Sequence, residues 1–463
     1  MSSAGQDNVA VIGGGVAGLS AACALADAGL KVTLFERRPY VGGRASSYLH
    51  PGTEEVIDNS QHVLFGCCTN LIRFYEKLGV ASKIRWFRAF NFIQPGGRLT
   101  TFRPSAFLPA PLHSVPAFIR SPLFTPREKV AIGRAMSAMT KPLRNGADED
   151  CLTWLRRHGQ TEQAVRRFWE PVLFSALNED LDKASIRYAI KVFRELFLNT
   201  ATGGNMGVPN LPLSELYGHA IEYIRARGGE VRLRQSVNQI GSTESAVNVT
   251  SESGQQKFDY AVIAAPYHTL ASLLPSDAAG NELRRRLEHF HSSPITAIHL
   301  WFDREVTPLP HAALLDRTIQ WMYQKSKLQD REKNSGSYVE LVVSASKQLL
   351  DKSREEIIEM ATREFAEFFP VANQAKLLKA TVTKEVHATF SVIPGLDEHR
   401  PGPQTGWPRV FLAGDWTATE WPATMEGAAR SGYRAAEALT AALGKPREFL
   451  VPDLPARGLM KGK

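Results

Sequence analysis

Hydrophobic and polar positions alternate most informatively near the start of the chain. Asn8-Val9-Ala10-Val11-Ile12 reads as a short buried strand, Gly13-Gly14-Gly15 as a turn, and Val16 to Ala28 as a helix rich in Ala and Leu that stops at Gly29. Leu30 to Phe35 forms a second strand ending at Glu36, so the opening is a βαβ unit with its crossover helix packed on a parallel sheet. Residues 229–233, 236–240, 258–266 and 409–415 read as further strands of that sheet, and Met425 to Leu443 as a helix of small residues. The intervening stretches differ: 96–145 is rich in Pro, Phe, Leu and Ile, 150–200 looks helical, and 290–400 mixes strands with a helix around Arg354 to Phe369. The expectation is an α/β chain in which residues 1–85, 200–290 and 400–445 build one Rossmann-like domain. An α+β second domain, 86–199 and 291–399, is inserted into it, and 446–463, ending in Lys461-Gly462-Lys463, is expected to be a flexible tail.

Composition narrows the class. A chain of 463 residues is long enough for two or three units, and 43% apolar with 22% charged residues excludes a disordered or fibrous protein. Lys+Arg minus Asp+Glu is 55 − 47 = +8, which suits an anionic cofactor or an acidic membrane surface; no nucleic-acid motif accompanies it. Four cysteines are too few for a disulfide scaffold, their spacing is not that of a zinc site, and adjacent Cys67 and Cys68 read as small buried residues. The short polar N-terminus lacks a secretory pattern, and no apolar run approaches the ~20 residues of a membrane span. The expectation is a cytoplasmic protein that touches a membrane only from one side.

Gly13-x-Gly15-x-x-Gly18 sits at the strand-to-helix junction, where glycines permit a tight turn and close approach of a pyrophosphate to the helix N-terminus. Glu36, 18 residues beyond Gly18, is placed to accept hydrogen bonds from a ribose. Arg37 follows directly, and Gly42-Gly43-Arg44 offers a second glycine turn with a cation to complement a diphosphate. In these motifs the chain resembles the FAD-dependent amine oxidase and phytoene desaturase superfamily. The resemblance extends to Phe411-Leu412-Ala413-Gly414-Asp415-Trp416, to Met425-Glu426-Gly427-Ala428 and to Ser236-Val237. It implies FAD as cofactor, with Asp415 near the ribityl–pyrophosphate region, the Met425 segment beside the isoalloxazine, and the Val237 backbone at the adenine.

Asp58-Asn59-Ser60-Gln61-His62, with Trp169 to Leu173 and Trp416 to Ala428, is similar to the hydroxysqualene dehydroxylases within that superfamily, although Ser60 stands where that family more often has glycine. This finer resemblance implies reductive removal of an allylic hydroxyl from hydroxysqualene to give squalene, with enzymes of the squalene pathway upstream as partners. The departing hydroxyl needs a proton, for which His62 is the first candidate donor and Asp58 the second. A carotenoid-type desaturase is the alternative. An amine oxidase is disfavoured because no lysine stands in a recognisable flavin-facing motif. A flavin-binding scaffold without turnover is disfavoured by the intact motifs at both ends of the chain.

Residues 102–127 mix Phe, Leu, Ile and Pro with Arg120 and Arg127. Such a segment suits a bilayer interface or the mouth of a greasy tunnel; a plain hydrophobic cap reads equally well.

Overall fold

The computed structural model describes residues 6–143, 148–329 and 336–457. Five parallel strands form the first sheet, in the order Glu230–Leu233, Lys31–Glu36, Asn8–Ile12, Tyr260–Ile263, Val410–Leu412. Its strands are apolar nearly throughout because both faces are covered. The helix Val16–Asp27 is buried almost all round, as a uniformly apolar sequence requires. It crosses Met425–Ala442 so closely that a Cβ on Gly432 would lie 2.1 Å from Ser20 Oγ. Its strands come from three separated stretches of the chain, 8–36, 230–263 and 410–412.

Residues 236–240 depart from expectation. They belong to a separate antiparallel sheet, Val237–Ser242, Val247–Ser251 and Gly254–Phe258, and not to the parallel one. The polar side chains between Asn238 and Gln256 explain this, since a central parallel strand buries both faces. Phe258 ties the small sheet to the large one, meeting Phe35 edge-on at 6.0 Å.

A seven-stranded sheet runs Leu377–Phe390, Ser292–Phe302, Ser337–Ser344, Trp321–Gln324, His311–Leu314, Phe90–Gln94, Arg98–Phe102. The helix Arg354–Phe368 packs on it through Ile357, Ala361 and Phe365, its start fixed by a reciprocal Ser353–Glu356 cap. The helices between Cys151 and Leu198 share one continuous core with the parallel-sheet domain instead of with this sheet. The strands Leu64–Phe65, Met206–Pro209 and Ile84–Phe87 form a bridge across the expected 85/86 boundary.

The tail also departs from expectation. Residues 446–457 pack back on the body, because Asp453 accepts from Lys191 at 2.7 Å and Arg430 at 2.6 Å, and Val451 N–H donates to Asn70 at 2.9 Å. Lys461-Gly462-Lys463 lies outside the described residues. Cys23, Cys67, Cys68 and Cys151 are all reduced and buried.

Candidate active site and cofactor cradle

The two glycine turns lie against each other. Gly42 N–H donates to Gly14 C=O at 2.8 Å, and a Cβ on Gly43 would come within 3.0 Å of Gly15 Cα. Gly13 holds φ +109°, and a Cβ there would lie 2.8 Å from Ala264 O; one on Gly18 would lie 1.9 Å from Gly13 O. Those glycines are demanded by the chain's own packing. Gly15 is different: its backbone is ordinary extended chain at φ −74°, and a Cβ would meet nothing nearer than 3.9 Å. The open space above Gly15, at the N-terminus of a helix with no side-chain cap, is therefore a cradle for an anion.

Glu36 is buried and ionisable at the end of its strand. One oxygen accepts from Gly14 N–H at 2.7 Å and the other from Arg38 N–H at 2.8 Å, which aims the carboxylate and leaves it lone pairs for a ribose. Gln235 N–H donates to Glu36 C=O at 2.9 Å, so Val237 starts its strand two residues from this edge, at the nucleotide end. Arg37 points to solvent, whereas Arg38 reaches across the second turn to Gly43 C=O at 2.9 Å; the pattern of two adjacent arginines did not distinguish them.

At the far side of the cradle Arg44 donates to Asp415 at 2.7 Å and to Ala388 C=O at 2.8 Å. Gly414, at φ +150°, offers its N–H to Ser431 Oγ at 2.8 Å. The loop that follows is organised by Arg400, a residue the motif reading did not single out. Its buried guanidinium donates to the carbonyls of Asp415 at 2.9 Å and Trp421 at 3.0 Å, and to that of Thr417. Met425 opens the long helix, accepting from Tyr217 OH at its sulfur (3.2 Å). Its neighbour Glu426 caps another helix by accepting from Asn70 and Leu71.

Asp58 to His62 borders this cradle, since Asn59 donates to Arg44 C=O at 3.3 Å and to Glu385 at 3.0 Å. Behind it lies a buried network whose Lys325 and Glu340 no sequence motif marked. Lys325 donates to Asp58 at 2.5 Å and to Gln61 at 2.7 Å, with Glu340 at 3.5 Å. Asp58 also accepts from Ser47 at 2.5 Å and Leu213 N–H at 3.2 Å. Burial opposes its charge, but Lys325 and these donors outweigh it and hold the carboxyl below its usual range. Asp58 is thus an ionised anchor, which corrects its reading as a proton donor. Glu340, second to the same ammonium, is pushed up by burial to about 7.

His62 Nδ1–H donates to Ser60 C=O at 2.7 Å, which leaves Nε2 as a lone-pair acceptor. Burial holds its pKa below the ordinary histidine range, so the neutral ring is favoured. That runs against the expected general-acid role: the ring is held neutral, with Nδ1–H committed to Ser60 C=O and Nε2 left as an acceptor. Val63 and Phe65, just after His62 in the chain, pack in a buried apolar cluster with Met206, Trp321 and Tyr323.

Residues 16–440 match the family described as flavin containing amine oxidoreductase, and the chain belongs to that family. Its fold agrees with cyclohexylamine oxidase from Brevibacterium oxydans at a TM-score of 0.70, with 17% identity, 95% of this chain and 100% of that one covered. More specifically, it is an FAD-dependent oxidoreductase, and the glycine cradle, Glu36 and the Arg44–Asp415 pair fit that cofactor. The chain is 27% identical over 457 residues to 15-cis-phytoene desaturase of Synechococcus elongatus, covering 94% of this chain and 96% of the relative. It is 26% identical over 468 residues to zeta-carotene desaturase of Zea mays, covering 92% and 82%.

Proposed function

We propose that this chain exchanges hydride between bound FAD and an allylic carbon of a long linear isoprenoid, and that it does so in the oxidative direction, as a desaturase. Bound FAD supplies the hydride acceptor. His62 Nε2 takes the proton lost from the adjacent carbon, so that a C–H pair on neighbouring carbons becomes a C=C bond. Lys325, bonded to Asp58 and Gln61, fixes the loop segment that carries His62, and the apolar cluster that continues from Val63 and Phe65 excludes water and suits a hydrocarbon. The observation that carries this reading is His62 itself, fixed by Ser60 C=O with a free Nε2. The similarity to desaturases of two different carotenoids supports an isoprenoid substrate without choosing one.

A second reading is reductive dehydroxylation of hydroxysqualene, favoured by the Asp58 to His62 pattern and by Trp416 to Ala428. Here hydride from reduced FAD would fill an allylic cation as the hydroxyl leaves as water, and the necessary proton would have to enter at a site other than neutral His62 or ionised Asp58. The test is one anaerobic experiment with two arms. Oxidised holoprotein with phytoene is expected to bleach its flavin and yield a product two hydrogens lighter. Prereduced holoprotein with hydroxysqualene, giving squalene by mass spectrometry while the first arm stays silent, would replace the first reading by the second.

A further inference from the structure

Among the exposed large apolar residues, five fall within one short stretch: Phe107 (96% exposed), Ile119 (61%), Leu112 and Val115 (40% each) and Leu108 (38%). Leu112, Val115 and Ile119 follow the i, i+3, i+7 spacing of one helical stripe, and the backbone is helical from Leu112 to Arg120. On the other side of that helix His113 is buried, and Phe118 is pinned to the body by Phe124 at 5.8 Å and Phe168 at 5.6 Å. Phe107 and Leu108 top a loop that closes on itself, Ser105 N–H to His113 C=O at 2.8 Å and His113 N–H to Pro109 C=O at 3.0 Å. The apolar projection is therefore held in shape before anything meets it, which lowers the entropy cost of docking.

Charge identifies what it meets. Between Glu76 and Glu128 the chain contains no Asp or Glu. Arg103, Arg120 and Arg127 flank the projection and are exposed, and among the described residues none of them is in an ion pair. Glu128, the first carboxylate after this stretch, is turned inward to cap its own helix through Thr125. Apolar side chains ringed by unpaired guanidiniums, with carboxylates removed, are complementary to an anionic interface with a hydrocarbon interior.

We propose that residues 105–120 are a docking surface for an anionic lipid bilayer, with Phe107, Leu108, Leu112, Val115 and Ile119 seated among the acyl chains and the arginines at the headgroups. This inference does not rest on the isoprenoid reading, and vesicles free of isoprenoid test it alone.

The experiment uses FAD-loaded full-length protein and pelletable vesicles of either pure phosphatidylcholine or a roughly equal mixture with phosphatidylglycerol. The wild type is expected to partition onto the mixed vesicles and to be released by about 0.5 M salt, which shortens the screening length to a few ångströms. Phe107→Glu with Ile119→Glu is expected to weaken partition at least tenfold while flavin absorbance stays intact. Leu378→Glu, on an exposed position of another sheet edge (54%), is expected to change nothing. Because the four native cysteines are buried, Phe107→Cys carries a single environment-sensitive dye, whose emission is expected to shift to the blue on mixed vesicles. Equal partition of wild type and the double variant, absence of binding to mixed vesicles, or loss of a dimer in the double variant without loss of vesicle binding would each overturn the proposal, the last by making the patch a contact between copies.

Discussion

Arg44 and Asp415 stand 371 residues apart in sequence and meet at 2.7 Å, joining the second glycine turn to the loop that follows the strand Val410–Leu412 of the parallel sheet. Desolvation lowers the guanidinium's hold on its proton, yet the Asp415 charge more than offsets it. Arg44→Gln leaves Asp415 buried beside the diphosphate position with no counter-charge. The expected outcome is FAD affinity lowered at least tenfold, read by flavin fluorescence titration. Arg44→Lys is expected to restore only part of it, since one ammonium does not reproduce a fork that serves both Asp415 and Ala388.

Gly15 and Gly18 are expected to separate binding from folding. A methyl group on Gly15 enters open space, so Gly15→Ala should fold with near-normal thermal stability as apoprotein but bind FAD weakly. A methyl group on Gly18 would overlap Gly13 O at 1.9 Å, so Gly18→Ala should lower the melting temperature itself. Calorimetry of both apoproteins distinguishes the two; equal melting losses would remove the argument for the cradle.

Much of the cradle was legible from the residues because it is local: a glycine turn between an apolar strand and an apolar helix has few other uses, and Gly13, Gly15, Gly18 and Glu36 lie where the pattern puts them. The Lys325 network was not legible, because a single lysine in Trp321-Met322-Tyr323-Gln324-Lys325 carries no periodic signal and its partner Asp58 lies 267 residues away. Arg400 was missed for the same reason: its partners are mostly backbone carbonyls, which any sequence possesses. The tail misled because its Lys461-Gly462-Lys463 end reads as a loose terminus, while the docking of 446–457 depends on one aspartate and a few apolar contacts.

Lys325→Met is expected to destabilise the fold by about 3–5 kcal/mol, the usual cost of leaving one buried charge unpaired. Adding Asp58→Asn should recover part of that loss, so the double variant is expected to be less damaged than the sum of the singles in urea denaturation. Strict additivity would mean that the two groups do not depend on each other.

Glu340 supplies a pH dependence with a definite sign. Its folded pKa, about 7, lies above the value of a solvated glutamate, so folding binds a proton between those two points. The contribution is fully present below the unfolded pKa and is lost as pH rises through 7. Glu340→Gln keeps the neutral shape and should flatten stability between about pH 4.5 and 7, as measured by denaturant midpoints at constant ionic strength.

His62→Gln is expected to keep the flavin spectrum and lower kcat by roughly 10²–10⁴, the usual span for a positioned proton-transfer group. In the wild type, activity should fall only when pH drops below the ordinary histidine range, since burial favours the neutral ring. An acid limb centred above about 6.5 would contradict the base assignment.

The docked C-terminal strap has a practical corollary. Removing the chain from Asp453 onward would strip the shared counter-ion from Lys191 and Arg430, two cations on different helices, and reopen the seam those helices make around the Trp421 ring. Affinity handles and fusion partners therefore belong after Arg457, and a shortened expression clone would forfeit the clasp that keeps the last helix shut against its neighbours.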